Sequence, residues 1–139
     1  MKSQGEIEAA LCEGVSRFQL ESIGRGPKDI LCHLLGSLVV VRLQGVLTAA
    51  ERRLLGLHEA APSDGQATAN GSEAGDGRLL VKQLRDRVVA NGRKRLGQLV
   101  EDAVGVPLVS VHHDISTITG EEVLVFSLSA APSCRPKRA

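Results

Sequence analysis

Aromatic residues are almost missing from this chain of 139 residues. Phe18 and Phe126 are the only two, and neither tryptophan nor tyrosine occurs. Proteins that bind single-stranded nucleic acid stack bases on several aromatic side chains, so that class of binding platform is largely excluded. The chain is long enough to form one domain with a core, and that core must be built from leucine, valine and isoleucine.

Long apolar runs and paired cysteines are lacking as well. The longest apolar stretch, 31–41, is interrupted by His33, Gly36 and Ser37, and it is shorter than the about 20 residues that a membrane-spanning helix needs. The first residues do not have the pattern of a signal peptide. The three cysteines are far apart and odd in number, which favours free thiols in a reducing compartment. We therefore expect a soluble, cytoplasmic protein that is at most peripheral to a membrane.

Neither sign of charge is in excess. The chain carries 17 basic and 16 acidic residues, so no overall field attracts a polyanion. Basic residues do cluster on the third predicted helix, at Lys82, Arg85, Arg87, Arg93, Lys94 and Arg95, and again in the tail. Such a run is more often a solvated helix face than a nucleic-acid site. A nucleic-acid-binding regulator is therefore the alternative function, and we do not expect nucleic acid as the partner.

Two capping boxes mark the starts of helices. Ser3 precedes Glu6 by three residues, and Thr48 precedes Glu51 by the same spacing. In this motif the hydroxyl accepts the amide of the third helical residue, and the glutamate accepts the amide of the cap. Apolar residues at helical spacing extend the predicted helices over 4–22, 48–60 and 78–104. The buried face of the long third helix is predicted to contain Val81, Leu84, Val88, Gly92, Leu96, Leu99 and Ala103.

Four apolar segments predict strands, paired as two hairpins. They are residues 28–35, 38–44, 107–113 and 121–128. The link Gly36-Ser37 is typical of a type II′ turn. The order α-β-β-α-α-β-β predicts an α+β two-layer sandwich, with a four-stranded antiparallel sheet and helices on one face. Because the last strand is apolar on both faces, we expect the open face to be buried in a homodimer.

Two segments fall outside this pattern. Residues 62–77 contain no large apolar side chain, and we predict a flexible loop there. Residues 131–139 are rich in proline and basic residues, and we predict a disordered tail. The remaining chain, 1–130, is then a single domain.

The stretch "SVHHDISTITGE", 110–121, concentrates polar side chains. On a strand His112 and Asp114 share one face while His113 occupies the other, so a single metal ion is not expected to bind them. We expect no metal, no cofactor and no catalytic site. The stretch is instead predicted to form a turn, with Gly120 at its end. An enzyme centred on the two histidines and the aspartate is kept as a third hypothesis.

Cations beside glycines suggest a place for a small anion. In "GRGPK", Arg25 and Lys28 flank a turn whose backbone amides can be exposed. Arg42 interrupts an apolar strand and needs a partner or solvent, and Asp114 is the candidate partner. The anion-binding hypothesis comprises Arg25, Lys28, Arg42, Asp114 and Thr117.

Three segments in combination resemble the MpsC-like domain family. They are "GEIEAALCEGVSRF" with "GRGPKDI" (5–30), "VVVRLQGVLTAAERRLL" (39–55) and "VEDAVGVPLVSVHHDISTITGEEVLVFSL" (100–128). The family is named for the C component of a bacterial sodium-translocating, membrane-potential-generating system. The resemblance implies a non-catalytic accessory protein linked to sodium or bicarbonate transport, with membrane transporter subunits as partners. The matched motifs single out Arg25, Arg42, Thr48, Glu51, Asp114 and Thr117.

Overall fold

The computed structural model describes residues 2–57 and 71–135, and only the backbone of 71–76. The described residues form one antiparallel sheet in the order β1-β2-β4-β3, with helices on one face. The strands are β1 (Asp29–Leu35), β2 (Leu38–Gln44), β3 (Leu108–Ile115) and β4 (Glu122–Leu128). The helices are α1 (Gln4–Ile23), α2 (Ala49–Leu54), α3 (Gly71–Asn91) and α4 (Arg93–Val104). The predicted α+β fold is confirmed.

Both capping boxes form as predicted. In α1 the amide of Glu6 donates to Ser3 Oγ at 3.1 Å, and the amide of Ser3 donates to Glu6 Oε1 at 3.0 Å. The equivalent pair at α2 joins Thr48 and Glu51. Helix α1 ends at Gly24, whose φ of +91° is a left-handed conformation that favours glycine.

The two hairpins join through their inner strands. Leu35 pairs with Leu38, so Gly36 and Ser37 form a two-residue link, and Gly36 has the positive φ that a type II′ turn requires there. Strand β2 pairs with β4, and β4 pairs with β3. The side chains that face the helices close an aliphatic core around Phe126, which is fully buried.

The long helix predicted over 78–104 is in fact two helices. Gly92 separates α3 from α4, and a Cβ atom at this position would overlap the ring of Phe18 on α1. Gly92 thus admits a close approach of α1, but the predicted continuity of the helix through this residue is wrong. Helical periodicity continues across the junction, so the apolar pattern does not reveal the break.

The buried face of α3 also differs from the prediction at one position. Leu84 is 46% exposed, whereas the neighbouring Arg85 is fully buried. Arg85 follows Val81 by four residues and precedes Val88 by three, so it occupies the helical position that faces the core. A charged side chain therefore takes the place where leucine was expected.

The predicted loop and tail are only partly described. Helix α2 ends at Leu54, earlier than expected, and Gly56 then takes a positive φ. Of the loop predicted at 62–77, residues 62–70 lie outside the described residues, and 71–77 belong to α3. In the tail, the amide of Arg135 donates to Lys2 O at 2.9 Å and its guanidinium to Glu6 Oε1 at 2.8 Å, while 136–139 are not described.

The face of the sheet away from the helices is partly apolar. Leu31 and Leu35 on β1 are 46% and 60% exposed, and Val40, Val123 and Val125 are half-buried. In β4 the half-buried valines alternate with the buried Leu124 and Phe126, so this strand is apolar on both faces, as predicted. Among the described helices, none combines the length and the apolarity needed to cross a membrane.

Candidate functional site

Arg85 is the centre of a buried ion-pair network. Its Nε and Nη2 atoms donate to the two carboxylate oxygens of Glu51 at 2.7 and 2.6 Å. Nη2 also donates to Val46 O, and Nη1 donates to Gln19 Oε1 and to Glu122 Oε1. A guanidinium has five N–H donors, and these five contacts use all of them. One side chain therefore ties α1, α2, α3, β4 and the segment after β2 together.

His113 extends this network toward the surface. Its Nε2 lies 2.6 Å from Glu122 Oε2, and its Nδ1 lies 3.1 Å from Asp86 Oδ1. Because an ionised carboxylate only accepts hydrogen bonds, both ring nitrogens are placed to donate to these two groups when the ring is protonated. Burial disfavours the charged ring, but the hydrogen bonds and charges of Glu122 and Asp86 outweigh it and raise the pKa of His113.

The charges of the network balance when His113 is protonated. The Arg85 guanidinium then shares with His113 the two buried carboxylates, Glu51 and Glu122. For Glu51, burial alone would raise the carboxyl pKa, but bonds from Arg85 and from the cap residue Thr48 lower it overall. Buried charges that are paired and hydrogen-bonded in this way avoid the large cost of unpaired burial.

A small cationic cavity lies beside the segment after β2, residues 45–47, whose Val46 carbonyl accepts a hydrogen bond from Arg85. Its volume is about 60 Å³, and the charged side chains in its wall are Arg25, Lys28 and Arg52, all of them cations. Arg25 is half-buried, while the other two are exposed at the rim. The cavity therefore lies between the turn after α1 and helix α2, two segments that the first hairpin separates in the sequence.

Two glycines and a threonine complete the cavity wall. Gly45 takes a φ of +66°, and a Cβ atom there would meet Lys28 Cγ at 2.6 Å. Gly120 takes a φ of +80°, and a Cβ atom there would meet Leu47 Cδ1 at 2.9 Å. Both positions therefore require glycine for conformation and for space. Thr119 Oγ1 accepts the Glu121 amide at 3.2 Å and keeps its hydroxyl hydrogen for another acceptor.

Arg25 and Lys28 of the predicted anion-binding set come together at this cavity, whereas Arg42, Asp114 and Thr117 do not line it. Asp114, predicted to pair with Arg42, is instead bonded by Lys82 Nζ at 2.7 Å, which with the amide of Ile115 lowers its pKa. Thr117 lies in the turn after β3.

Arg42 binds Glu121 instead of Asp114. Its Nε and Nη2 donate to Glu121 Oε2 at 3.0 and 2.7 Å, and Gln44 donates to the same oxygen. The predicted pair is wrong because β4 lies between β2 and β3: Arg42 and Asp114 both stand opposite Val123, one on each side.

The polar stretch 110–121 ends in a turn, as predicted. Ser116 Oγ accepts the amides of Ile118 and Thr119, and the Ser116 amide donates to Glu121 O. His112 is exposed beside Ser110, whereas His113 faces the core, so the two histidines do not converge. In the described part of the chain, no group of three or more histidine, cysteine or acidic side chains is placed to hold a metal ion.

All three cysteines are free thiols, and burial disfavours the thiolate form of two of them, Cys12 and Cys32. Burial raises the pKa of Cys12, and it raises that of Cys32 to about 12. The thiolate is the nucleophilic form of cysteine, so these two groups are poor nucleophiles near neutral pH.

Several residues of the network and cavity were not predicted as a site. Arg85 was assigned to a solvated basic face, and Gln19, Glu122, Arg52 and Thr119 were not assigned to the anion-binding set. The position of Arg85 between Val81 and Val88 was an available signal, since helical spacing places it on the buried side. The remaining residues have no local pattern, because their partners come from distant parts of the chain.

Comparisons with known proteins identify the family of this chain. Residues 3–130 match the family model described as "Na+-translocating membrane potential-generating system (MpsC)". The chain is 30% identical over 127 residues to "Uncharacterized protein YbcI" of Bacillus subtilis (strain 168), which covers 91% of this chain and 89% of that protein. No solved structure matches the chain. The match extends over both hairpins and all the described helices, and the chain belongs to the MpsC family, as the three sequence segments indicated.

Proposed function

We propose that this protein is a non-catalytic accessory or regulatory component that acts with a membrane ion-transport system for sodium or inorganic carbon such as bicarbonate. The observation that carries the proposal is the family match, which spans nearly the whole described fold and names a sodium-translocating, membrane-potential-generating system. A cytoplasmic position at the membrane surface, beside transporter subunits, follows from this role.

The contacts of the polar side chains support a non-catalytic role. Arg85, Glu51 and Glu122 bond one another inside the core, where they join elements of the fold. His113 is held between two carboxylates, and the other two members of the enzyme hypothesis, His112 and Asp114, face the opposite side of the sheet. A general base needs to reach a substrate proton, and these contacts serve cohesion instead.

The open face of the sheet supports a homodimer as the working form. Leu31 and Leu35 are exposed there on either side of His33, and the half-buried Val40 and Val125 follow His33 across the next two strands. An exposed apolar strip on a sheet face favours burial against another surface. A second copy is the partner we propose, since twofold symmetry brings the same strip from each copy together.

The contacts of the basic residues on α3 and α4 weigh against the alternative function, a nucleic-acid-binding regulator. Lys82 bonds Asp114, Arg85 is buried, and Arg93 donates to Val109 O. Arg95 is paired with Glu21 on α1. The sequence predicted one basic face for these cations, but most of them bind partners within the described fold. We therefore retain the transport-associated role.

The proposal is tested in the bacterium that carries the gene. Deleting the gene is expected to lower the membrane potential or sodium-dependent growth, and restoring the full chain is expected to reverse the effect. Crosslinking in intact cells, followed by mass spectrometry, is expected to join the chain to identified ion-transport subunits. An unchanged membrane potential, together with crosslinks to soluble proteins alone, would contradict the proposal.

A further inference from the structure

We infer that the cationic cavity between the turn after α1 and helix α2 binds a small oxyanion. Its wall brings together Arg25, Lys28 and Arg52 from two segments that are distant in sequence. The inference names the class of ligand to which the proposed accessory protein responds, and it rests on the proposed function for its biological role.

The size of the cavity restricts the ligand. A volume of about 60 Å³ is far below the roughly 300–1,000 Å³ of pockets that hold drug-sized molecules. A nucleotide or a sugar phosphate does not fit, whereas an ion of four or five heavy atoms does. Sulfate, phosphate and bicarbonate belong to this class.

The chemistry of the wall selects an oxyanion. Two guanidinium groups present planar forks that match pairs of oxygen atoms, and the Lys28 ammonium adds a point charge. Within residues 2–57 and 71–135, Arg52 donates to Leu57 O at 2.9 Å, which orients the guanidinium, and its fork has further N–H groups with which to bind a ligand. The hydroxyl of Thr119 supplies a neutral donor. Three cations around one small cavity repel one another, and a bound anion offsets that repulsion.

The buried network holds this cavity in place. Arg85 donates to Val46 O at 2.8 Å, and Val46 lies in the cavity wall directly after Gly45. Arg85 also binds Glu51, the residue before Arg52 on α2. The backbone on two sides of the cavity is therefore fixed from inside, so a ligand does not need to order it on binding.

The inference is tested by titrating the purified full chain with sulfate, phosphate, bicarbonate and chloride at constant ionic strength. We expect saturable calorimetric binding of at least one oxyanion at roughly 1 mM or below, tighter than chloride. Amide signals of Gly45, Thr119 and Gly120 are expected to shift in NMR spectra. The same oxyanion is expected to raise the melting temperature.

Matched charge variants decide whether the cavity is the site. Arg25→Gln and Arg52→Gln are each expected to weaken binding about tenfold or more, since a hydrogen bond to a charged group is lost. Arg53→Gln, the same change one residue further along α2 and outside the cavity wall, is the control and is expected to change binding less than twofold. Lys28→Gln is an independent variant, and melting temperatures without anion verify that each variant is folded.

Three outcomes overturn the inference. They are no saturable binding of any of the four anions, an equal loss of affinity in Arg53→Gln, and binding to phosphatidylglycerol vesicles without binding of a free anion. Each concerns the purified chain alone. Failure here therefore leaves the crosslinking and membrane-potential results standing, whereas failure in the cell leaves the binding result standing.

Discussion

Arg85 holds the buried ion-pair network together at the scale of a single residue. It bonds Glu51, Glu122 and Gln19 with no exposure to solvent. Replacing a complete buried ion-pair network by apolar groups is often tolerated, but removing one partner leaves the others charged and unpaired. Substituting Arg85 alone is therefore expected to cost more stability than replacing the whole network by apolar groups.

Substitution of Arg85 by methionine is expected to lower the free energy of unfolding by about 3–5 kcal/mol, because Glu51 loses its buried cation and Glu122 keeps only His113. Urea denaturation followed by circular dichroism measures the loss. Arg87→Met, on the exposed side of the same helix, is the matched control and is expected to change stability by less than about 0.5 kcal/mol. Similar values for the two variants would show that the network contributes little.

His113 makes stability depend on pH in a defined direction. Its folded-state pKa lies above the ordinary value of 6.5, since Glu122 and Asp86 hold the proton against the effect of burial. The stabilisation is therefore complete below about pH 6.5 and is lost as pH rises through the raised folded pKa. Above that pH the ring is neutral in both the folded and the unfolded states.

The comparison of His113→Gln with the parent protein measures this effect. The stability difference between the two is expected to shrink as pH rises from about 6 to about 9, in urea titrations at each pH. His112→Gln, on the exposed face of the same strand, is the control and is expected to follow the parent curve. A difference that grows with pH in His113→Gln would refute the assignment of a bound proton.

At the scale of elements, Gly92 decides how α3, α4 and α1 pack. The ring of Phe18 occupies the space that a side chain at this position would need. Gly92→Ala is expected to destabilise the protein by about 1–3 kcal/mol, since adding a methyl group to a packed contact forces neighbours to move. The measurement is chemical denaturation of the purified variant.

Gly97 on α4 provides the matched control for that change. A Cβ atom there would meet only Arg93 Nη1 at 3.3 Å and Leu108 Cδ2 at 3.8 Å, and the end of the arginine can move away. Because alanine favours helix over glycine by about 1 kcal/mol, Gly97→Ala is expected to be neutral or stabilising. Equal destabilisation by both substitutions would show that the Phe18 contact is not the cause.

At the scale of the whole molecule, the open sheet face sets the expected assembly. Sedimentation equilibrium of the parent protein is expected to give a dimer, and Leu35→Glu is expected to give a monomer, because charge on this face opposes apolar burial. Leu20→Glu on α1, at a similar exposure of 54% against 60%, is expected to remain dimeric. A monomeric parent protein, or equal dissociation of both variants, would contradict the proposed homodimer.

Local chemistry was enough to predict the fold class, the four strands and two helix starts, but not the break at Gly92 or the start of α3. The hydroxyl-glutamate spacing of Ser3 with Glu6 and of Thr48 with Glu51 fixes two helix starts, because both partners lie within one turn. The period of β4 separates Leu124 and Phe126 from Val123 and Val125, although both sets are apolar and only packing placed the first set in the core. The strand sequences also place His112 and His113 on opposite faces, since the period of a strand is two.

Only the tertiary structure decided which charges meet. The sheet order inserts β4 between β2 and β3, so Arg42 binds Glu121 and not Asp114. The partners of Arg85 come from positions 34 to 66 residues away. The wall of the cationic cavity is likewise formed by several segments that are distant in sequence. Sequence determined the pattern of each element because that pattern is local. Pairing across the core depends on how the elements pack, which local spacing does not encode.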